Sequence, residues 1–95
     1  MSPVAQTIFE QLGGKRFAVM TGSKNWLYTK DSLAFKVGTG AKNKVKFVKI
    51  VLTSNDTYNM VFMKGSGDII KSFDDIYCDM LQELFTEQTG FYTHF

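Results

Sequence analysis

The sequence predicts an α+β domain: an antiparallel sheet of three to five strands packed against a C-terminal amphipathic helix, with a short N-terminal helix before it. Three observations carry this expectation. Residues 76–85 repeat apolar side chains at helical spacing. The middle of the chain alternates apolar and polar residues between turn-forming clusters. A Ser-Pro start and a Gly-Gly stop bracket one apolar stripe at the N-terminus. Short connections between neighbouring strands require antiparallel pairing.

The elements follow in order. Ser2-Pro3 supplies an N-cap hydroxyl and a proline at the first helical position. Ala5, Ile8, Phe9 and Leu12 then lie on one face, and Gly13-Gly14 ends the helix. A helix this short must dock on something to persist. RFAVMT (16–21) reads as the first strand, and TGSKN turns the chain. WLYTKD (26–31) is open between a short strand, a turn and a single helical turn.

SLAFKVG (32–38) alternates cleanly, with Leu33, Phe35 and Val37 on one face. GTGAKNK (38–44) is a glycine-rich basic loop. VKFVKIVLTS (45–54) slips in phase. Val45 and Phe47 share one face; Val48, Ile50 and Leu52 share the other. Either a β-bulge re-aims the side chains, or a central strand is buried partly on both faces; the second reading is preferred. SNDT turns the chain, because Asn and Asp tolerate positive φ. TYNMVFMK (57–64) returns with Tyr58, Met60 and Phe62 together. GSGD turns again, and IIKSF (69–73) adds a short edge strand.

Ser72 is the expected cap of the last helix, with an acidic first turn at Asp74 and Asp75 that suits the helix dipole. Ile76, Tyr77, Met80, Leu81, Leu84 and Phe85 form its apolar stripe; Asp79, Gln82, Glu83 and Glu87 form its polar face. Gly90 ends it, and FYTHF forms the tail.

Ninety-five residues make one domain, spanning 1–95. No apolar run approaches the ~20 residues of a membrane helix, so no membrane partner is expected. The opening MSPVAQTIFEQL lacks the basic and apolar regions of a signal peptide. A single cysteine, Cys78, rules out an internal disulfide. Together these point to the cytoplasm. Net charge is +2, but residues 1–64 carry ten basic and three acidic side chains, and residues 65–95 carry one and six. A balance of +7 against −5 bears on partners and not on fold.

Catalytic and metal chemistry find little support. Cys78 and His94 are the only residues of their type, in no ligand spacing. Asp74, Asp75 and Asp79 read as a solvated acidic face in preference to a cation site. GSKN and GTGAK lack the full phosphate-loop pattern. No catalytic residue, metal site, cofactor or small-molecule substrate is therefore expected, and the chain reads as a non-enzymatic binder.

Two surfaces are candidates. The basic stretch from Arg16 to Leu52 interleaves cations with aromatics. Arg16, Lys36, Lys42, Lys44, Lys46 and Lys49 are candidates to follow a nucleic-acid backbone, with Trp26, Tyr28 and Phe47 as base-stacking platforms. The competing reading is the wet face of an antiparallel sheet, with lysines guarding its edges. For a protein partner, the anchors are Trp26, Tyr28, Phe91, Tyr92 and Phe95, with Asp79, Glu83 and Glu87 as an acidic helix face. The FYTHF aromatics read as a lid folded back on the core in preference to an exposed anchor, and Trp26 and Tyr28 are open between core plugs and anchors.

LGGKRFAVMTGSKNWLY, DTYNMVFMK and LFTEQTGFYTHF together resemble a group of small bacteriophage and prophage proteins. That group pairs an LGG-basic-F…MTG-x-KN opening with a TG-x-YT close. The resemblance spans most of the chain and implies a mobile-element protein working inside a bacterial cell. The expected function is stoichiometric binding to a host, defence or phage protein. The alternative is a single-stranded nucleic-acid-binding module using the basic sheet. Homo-oligomers, with the basic sheet of one copy on the acidic helix of another, are a further expectation.

Overall fold

A computed structural model describes residues 2–38 and 40–91. The chain opens with two helices, α1 (Pro3–Leu12) and α2 (Gly14–Thr21). Five strands follow: β1 (Lys24–Tyr28), β2 (Ser32–Lys36), β3 (Phe47–Leu52), β4 (Tyr58–Met63) and β5 (Ile69–Ile76). A 3-10 turn (Lys42–Lys44) interrupts the β2–β3 connection, and another (Cys78–Met80) leads into α3 (Leu81–Thr89). The strands form one antiparallel meander in the order β1-β2-β3-β4-β5. The α+β architecture read from the sequence is the one observed.

Register fixes the two faces of the sheet. Leu33 sits opposite Ile50, and Ile50 opposite Met60. Phe35 sits opposite Val48, and Val48 opposite Phe62. Alternation along a strand puts all of these on one face. Together with Ala5, Ile8 and Leu12 of α1, Phe17 of α2, and Leu81, Leu84 and Phe85 of α3, they make a single buried core. The three helices therefore cover one face of the sheet, and an aromatic cluster marks the contact. Phe17 lies 4.8 Å from Phe85 and 5.5 Å from Phe35, ring centroid to ring centroid.

Three local readings are corrected. Residues 16–21 are helical, not a strand. A strand would set Phe17, Val19 and Thr21 on one side, whereas α2 buries Phe17 and Thr21 and leaves Val19 82% exposed. Gly13, at φ 127°, closes α1 and lets the chain turn straight into α2. Gly22 closes α2 in the left-handed region and donates its N–H to the Ala18 carbonyl. Beyond it, residues 24–28 are a regular edge strand with a bulge at Asn25 (φ 57°).

The second correction concerns Ser72, which caps no helix. It lies within β5, opposite Val61. The ladder continues to Ile76, which pairs with Tyr58 across a bulge. There Asp75 adopts φ 55° and donates its N–H to Asn59 Oδ1. Pairing β4 along its whole length satisfies backbone groups that would otherwise be left at an edge. The helix consequently begins at Leu81.

The third correction follows from the second. Tyr77 and Met80, assigned to the apolar stripe, are exposed, while Ile76 is buried as a strand residue. Leu81, Leu84 and Phe85 are buried, as the helical spacing requires. In β3 the register with both neighbours is unbroken from Phe47 to Leu52, so the phase slip is a strand with apolar residues on both faces and contains no bulge.

Polar contacts pin the helices to the sheet and to each other. The Ser2 hydroxyl accepts from the Ala5 N–H and donates to the Thr29 carbonyl, tying the start of α1 to the end of β1. Gln82 Nε2 donates to the Leu12 carbonyl at 2.8 Å, capping α1 from α3. Every fully buried side-chain nitrogen or oxygen among the described residues has a partner.

Candidate functional site

The second face of the sheet is where the sequence and the fold part company. Lys36 pairs with Phe47, Phe47 with Met63, and Met63 with Ile69. Leu27 pairs with Ala34, Ala34 with Lys49, Lys49 with Val61, and Val61 with Ser72. Alternation turns these two rows away from the helices. Among the described residues, no element covers them. This open face spans five strands and is divided in character. Phe47, Val61, Met63 and Ile69 give an apolar half over β3–β5; Lys24, Lys36 and Lys49 give a basic half over β1–β3. Its carboxylates, Asp74 and Asp75, come only at the far corner beside Asn59.

A sheet face turned to water ordinarily alternates cleanly, apolar inward and polar outward. Here the outward residues of β4 are Asn59, Val61 and Met63, and those of β3 are Phe47, Lys49 and Val51. Each apolar member of that set is half-buried among its neighbours, and Leu27 and Ile69 at the two edges are 70% and 65% exposed. An open depression of about 200 Å³ lies on the β1–β3 side, lined by Leu27, Tyr28, Thr29, Ser32, Ala34 and Lys49. A second, of about 200 Å³, lies at the other end of the fold between α1 and the sheet, lined by Pro3, Val4, Thr7, Leu52 and Tyr58.

The residues singled out in the sequence are dispersed by the fold. Lys36 and Lys49 reach the open face. Arg16 is on α2, on the helical side. Lys42 and Lys44 lie in the 3-10 turn, where Lys42 packs against Gly90. Lys46 precedes β3 and packs its stem against Gly65. Trp26 is a core residue: it is half-buried, its ring 5.0 Å from Phe9 and 4.7 Å from Phe35. Tyr28 is 53% exposed at the edge strand. Phe91 is half-buried against the core, while Tyr92 and Phe95 lie outside the described residues. Asp79, Glu83 and Glu87 are exposed on the outer side of α3 and the turn before it.

Of the proposed aromatic platforms, Phe47 stands on the open face and Tyr28 at its edge, where it lines the depression beside Lys49. The sequence signal of Phe47 was already present in the phase slip of β3. The matching signal in β4 is two apolar residues, Val61 and Met63, on the nominally wet side of the alternation, with Leu27 and Ile69 on the edges.

Chemically demanding groups do not converge. Cys78 is exposed, and His94 lies outside the described residues. Among the described residues there is no cluster of three His, Cys, Asp or Glu side chains able to hold a metal ion. One titration is perturbed. Burial pushes the Tyr58 phenol above the usual tyrosine range, nearby Cys78 pushes in the same direction, and the 2.8 Å hydrogen bond to Gln11 opposes both. That arrangement belongs to the seam between α1 and β4. No helix among the described residues is long and apolar enough to cross a membrane. Compared with known proteins, the chain matches no protein-family model, no curated protein and no solved structure.

Proposed function

We propose that the chain is a small phage-type binding protein that works inside the bacterial cytoplasm, without catalysis, by occupying the surface of a host or phage protein through the open face of its sheet. The supporting observation is that face: five strands with one side packed by helices and the other side uncovered among the described residues, half apolar and half basic. Exposed apolar surface rimmed by polar groups is what protein-interaction sites present. Lys36 and Lys49 select against basic partners and favour an acidic one.

The test is capture from bacterial lysate on immobilised protein, in the presence of nuclease, comparing the wild type with a Val61→Glu/Met63→Glu variant. A protein retained by the wild type and lost from the variant supports the reading, once circular dichroism shows that both are folded. Capture that is unchanged by the variant removes the open face from the account.

A second reading is favoured by one specific arrangement, Lys36 directly opposite Phe47 with Lys49 two residues further along β3. An aromatic ring bracketed by cations is a minimal platform for single-stranded nucleic acid. Oligonucleotide binding would then weaken with salt at a log–log slope of about −0.7 per phosphate neutralised. Absence of binding at about 50 mM salt, where screening is weak, removes this reading.

A further inference from the structure

Two surfaces of this molecule are complementary and lie at opposite poles. One is the open sheet face with Lys24, Lys36 and Lys49. The other is the outer side of α3. That helix buries Leu81, Leu84 and Phe85 against the covered face, which turns Glu83 and Glu87 away from the sheet. Asp79 lies four residues before Glu83, and Tyr77 and Met80 beside it are 64% and 39% exposed. The start of α3 is thus an acidic ridge with its own apolar side chains; Lys42 stands at the opposite end, against Gly90.

We propose that the open face of one copy receives the acidic ridge of a second copy, head to tail, with Lys49 and Lys36 facing Asp79 and Glu83 and with Tyr77 and Met80 laid on Phe47, Val61 and Met63. A symmetric face-to-face pair would bury the lysines against one another or against the apolar half, with no carboxylate to meet them, and a ridge-to-ridge pair would set carboxylates against carboxylates; both are unfavourable. Because the two surfaces point in opposite directions, two copies cannot satisfy both at once. The assembly is heterologous, an open chain or a ring.

The contact is small. Five strands about 4.8 Å apart and about six residues long at about 3.3 Å each cover roughly 400 Å², about half of what one partner contributes to a standard interface. Association is therefore weak and salt-sensitive. It shelters the apolar half of the face at high protein concentration and yields to a tighter partner. The inference rests on the open face being a docking surface and is independent of which foreign protein that surface holds.

Light scattering coupled to size exclusion, on the full chain at about 1 mM, tests it. At about 0.01 M salt, where the screening length is ~30 Å, the wild type exceeds the 10.8 kDa monomer mass. At about 1 M salt, where that length is ~3 Å, the mass falls back toward the monomer. Lys49→Glu alone and Glu83→Lys alone are both monomeric at low salt, and their equimolar mixture regains the high mass because each restores the other's missing partner. Both positions are exposed, so neither variant disturbs the core; Lys36→Glu with Asp79→Lys gives an independent pair. A wild type that stays monomeric at low salt overturns the proposal, as does a mixture of the variants that fails to associate. Either result leaves lysate capture by the open face intact as a separate question.

Discussion

Replacing Val19 by glutamate separates the observed helix α2 from the strand that RFAVMT suggests. In α2 the Val19 side chain is 82% exposed, so less than a fifth of its surface leaves water. Full burial of a valine stabilises by about 1.5–3 kcal/mol, so the substitution forfeits at most about 0.5 kcal/mol. Removing a β-branched residue from a helix returns up to about 0.5 kcal/mol. Glutamate at 19 also stands four residues from Lys15, a pairing of about 0.2–0.5 kcal/mol. Residue 19 lies in the last turn of α2, where an anion opposes the helix dipole by about 0.3–1 kcal/mol, so gains and losses cancel to within about 1 kcal/mol of zero.

A strand would share the buried face of Phe17 and Thr21 with Val19, and an unpaired buried carboxylate there would cost several kcal/mol. Phe17→Ala supplies the contrast. Phe17 is fully buried and touches the rings of Trp26, Phe35 and Phe85, so its truncation costs about 3–5 kcal/mol. Phe17→Leu, which retains most of the volume, costs about 1.5 kcal/mol or less. Urea unfolding followed by circular dichroism reads all three. With a slope of about 1.3 kcal/mol/M, Phe17→Ala lowers the midpoint by roughly 3 M and Val19→Glu moves it by less than about 0.8 M in either direction. A loss above about 1.5 kcal/mol for Val19→Glu at unchanged slope would refute the helical assignment and the placement of Phe17 with it.

Two further outcomes follow from local geometry. A methyl group added at Gly38 would stand 2.6 Å from the Thr21 carbonyl oxygen and 3.2 Å from Gly22 Cα, both backbone; Gly38→Ala should therefore destabilise by about 1–3 kcal/mol in thermal melts, and an unchanged midpoint would show that α2 and β2 do not cross so closely. The Tyr58 phenol is raised above the usual tyrosine range chiefly by burial. The folded state thus favours the protonated form: its contribution is complete below the unfolded value of about 10 and is lost as pH climbs through the higher folded value. Stability measured from pH 8 to 11 should fall more steeply for wild type than for Tyr58→Phe, and identical slopes would contradict the shift.

The sequence alone determined those parts of this protein whose signals are local. The Ser2-Pro3 cap, the Asn-Asp turn at 55–56, the alternation in β2 and the stripe Leu81, Leu84, Phe85 each depend on neighbours within a turn or two, and each stands where period and cap chemistry put it. The α+β class followed from counting such segments. Tertiary structure decided the rest, because the competing local states differ by less than packing supplies. RFAVMT satisfies a strand or a helix equally; the ring cluster of Phe17, Trp26, Phe35 and Phe85 selects the helix. Residues 72–76 satisfy a helix start or a strand end, and the unpaired backbone of β4 selects the strand. The candidate face was half legible. Phe47, Lys36 and Lys49 stood out in the sequence, but which side of the sheet the helices would cover is set by the register of four strand pairs together, and only that choice leaves Val61, Met63 and Lys49 on one surface, uncovered among the described residues, while drawing Trp26 into the core.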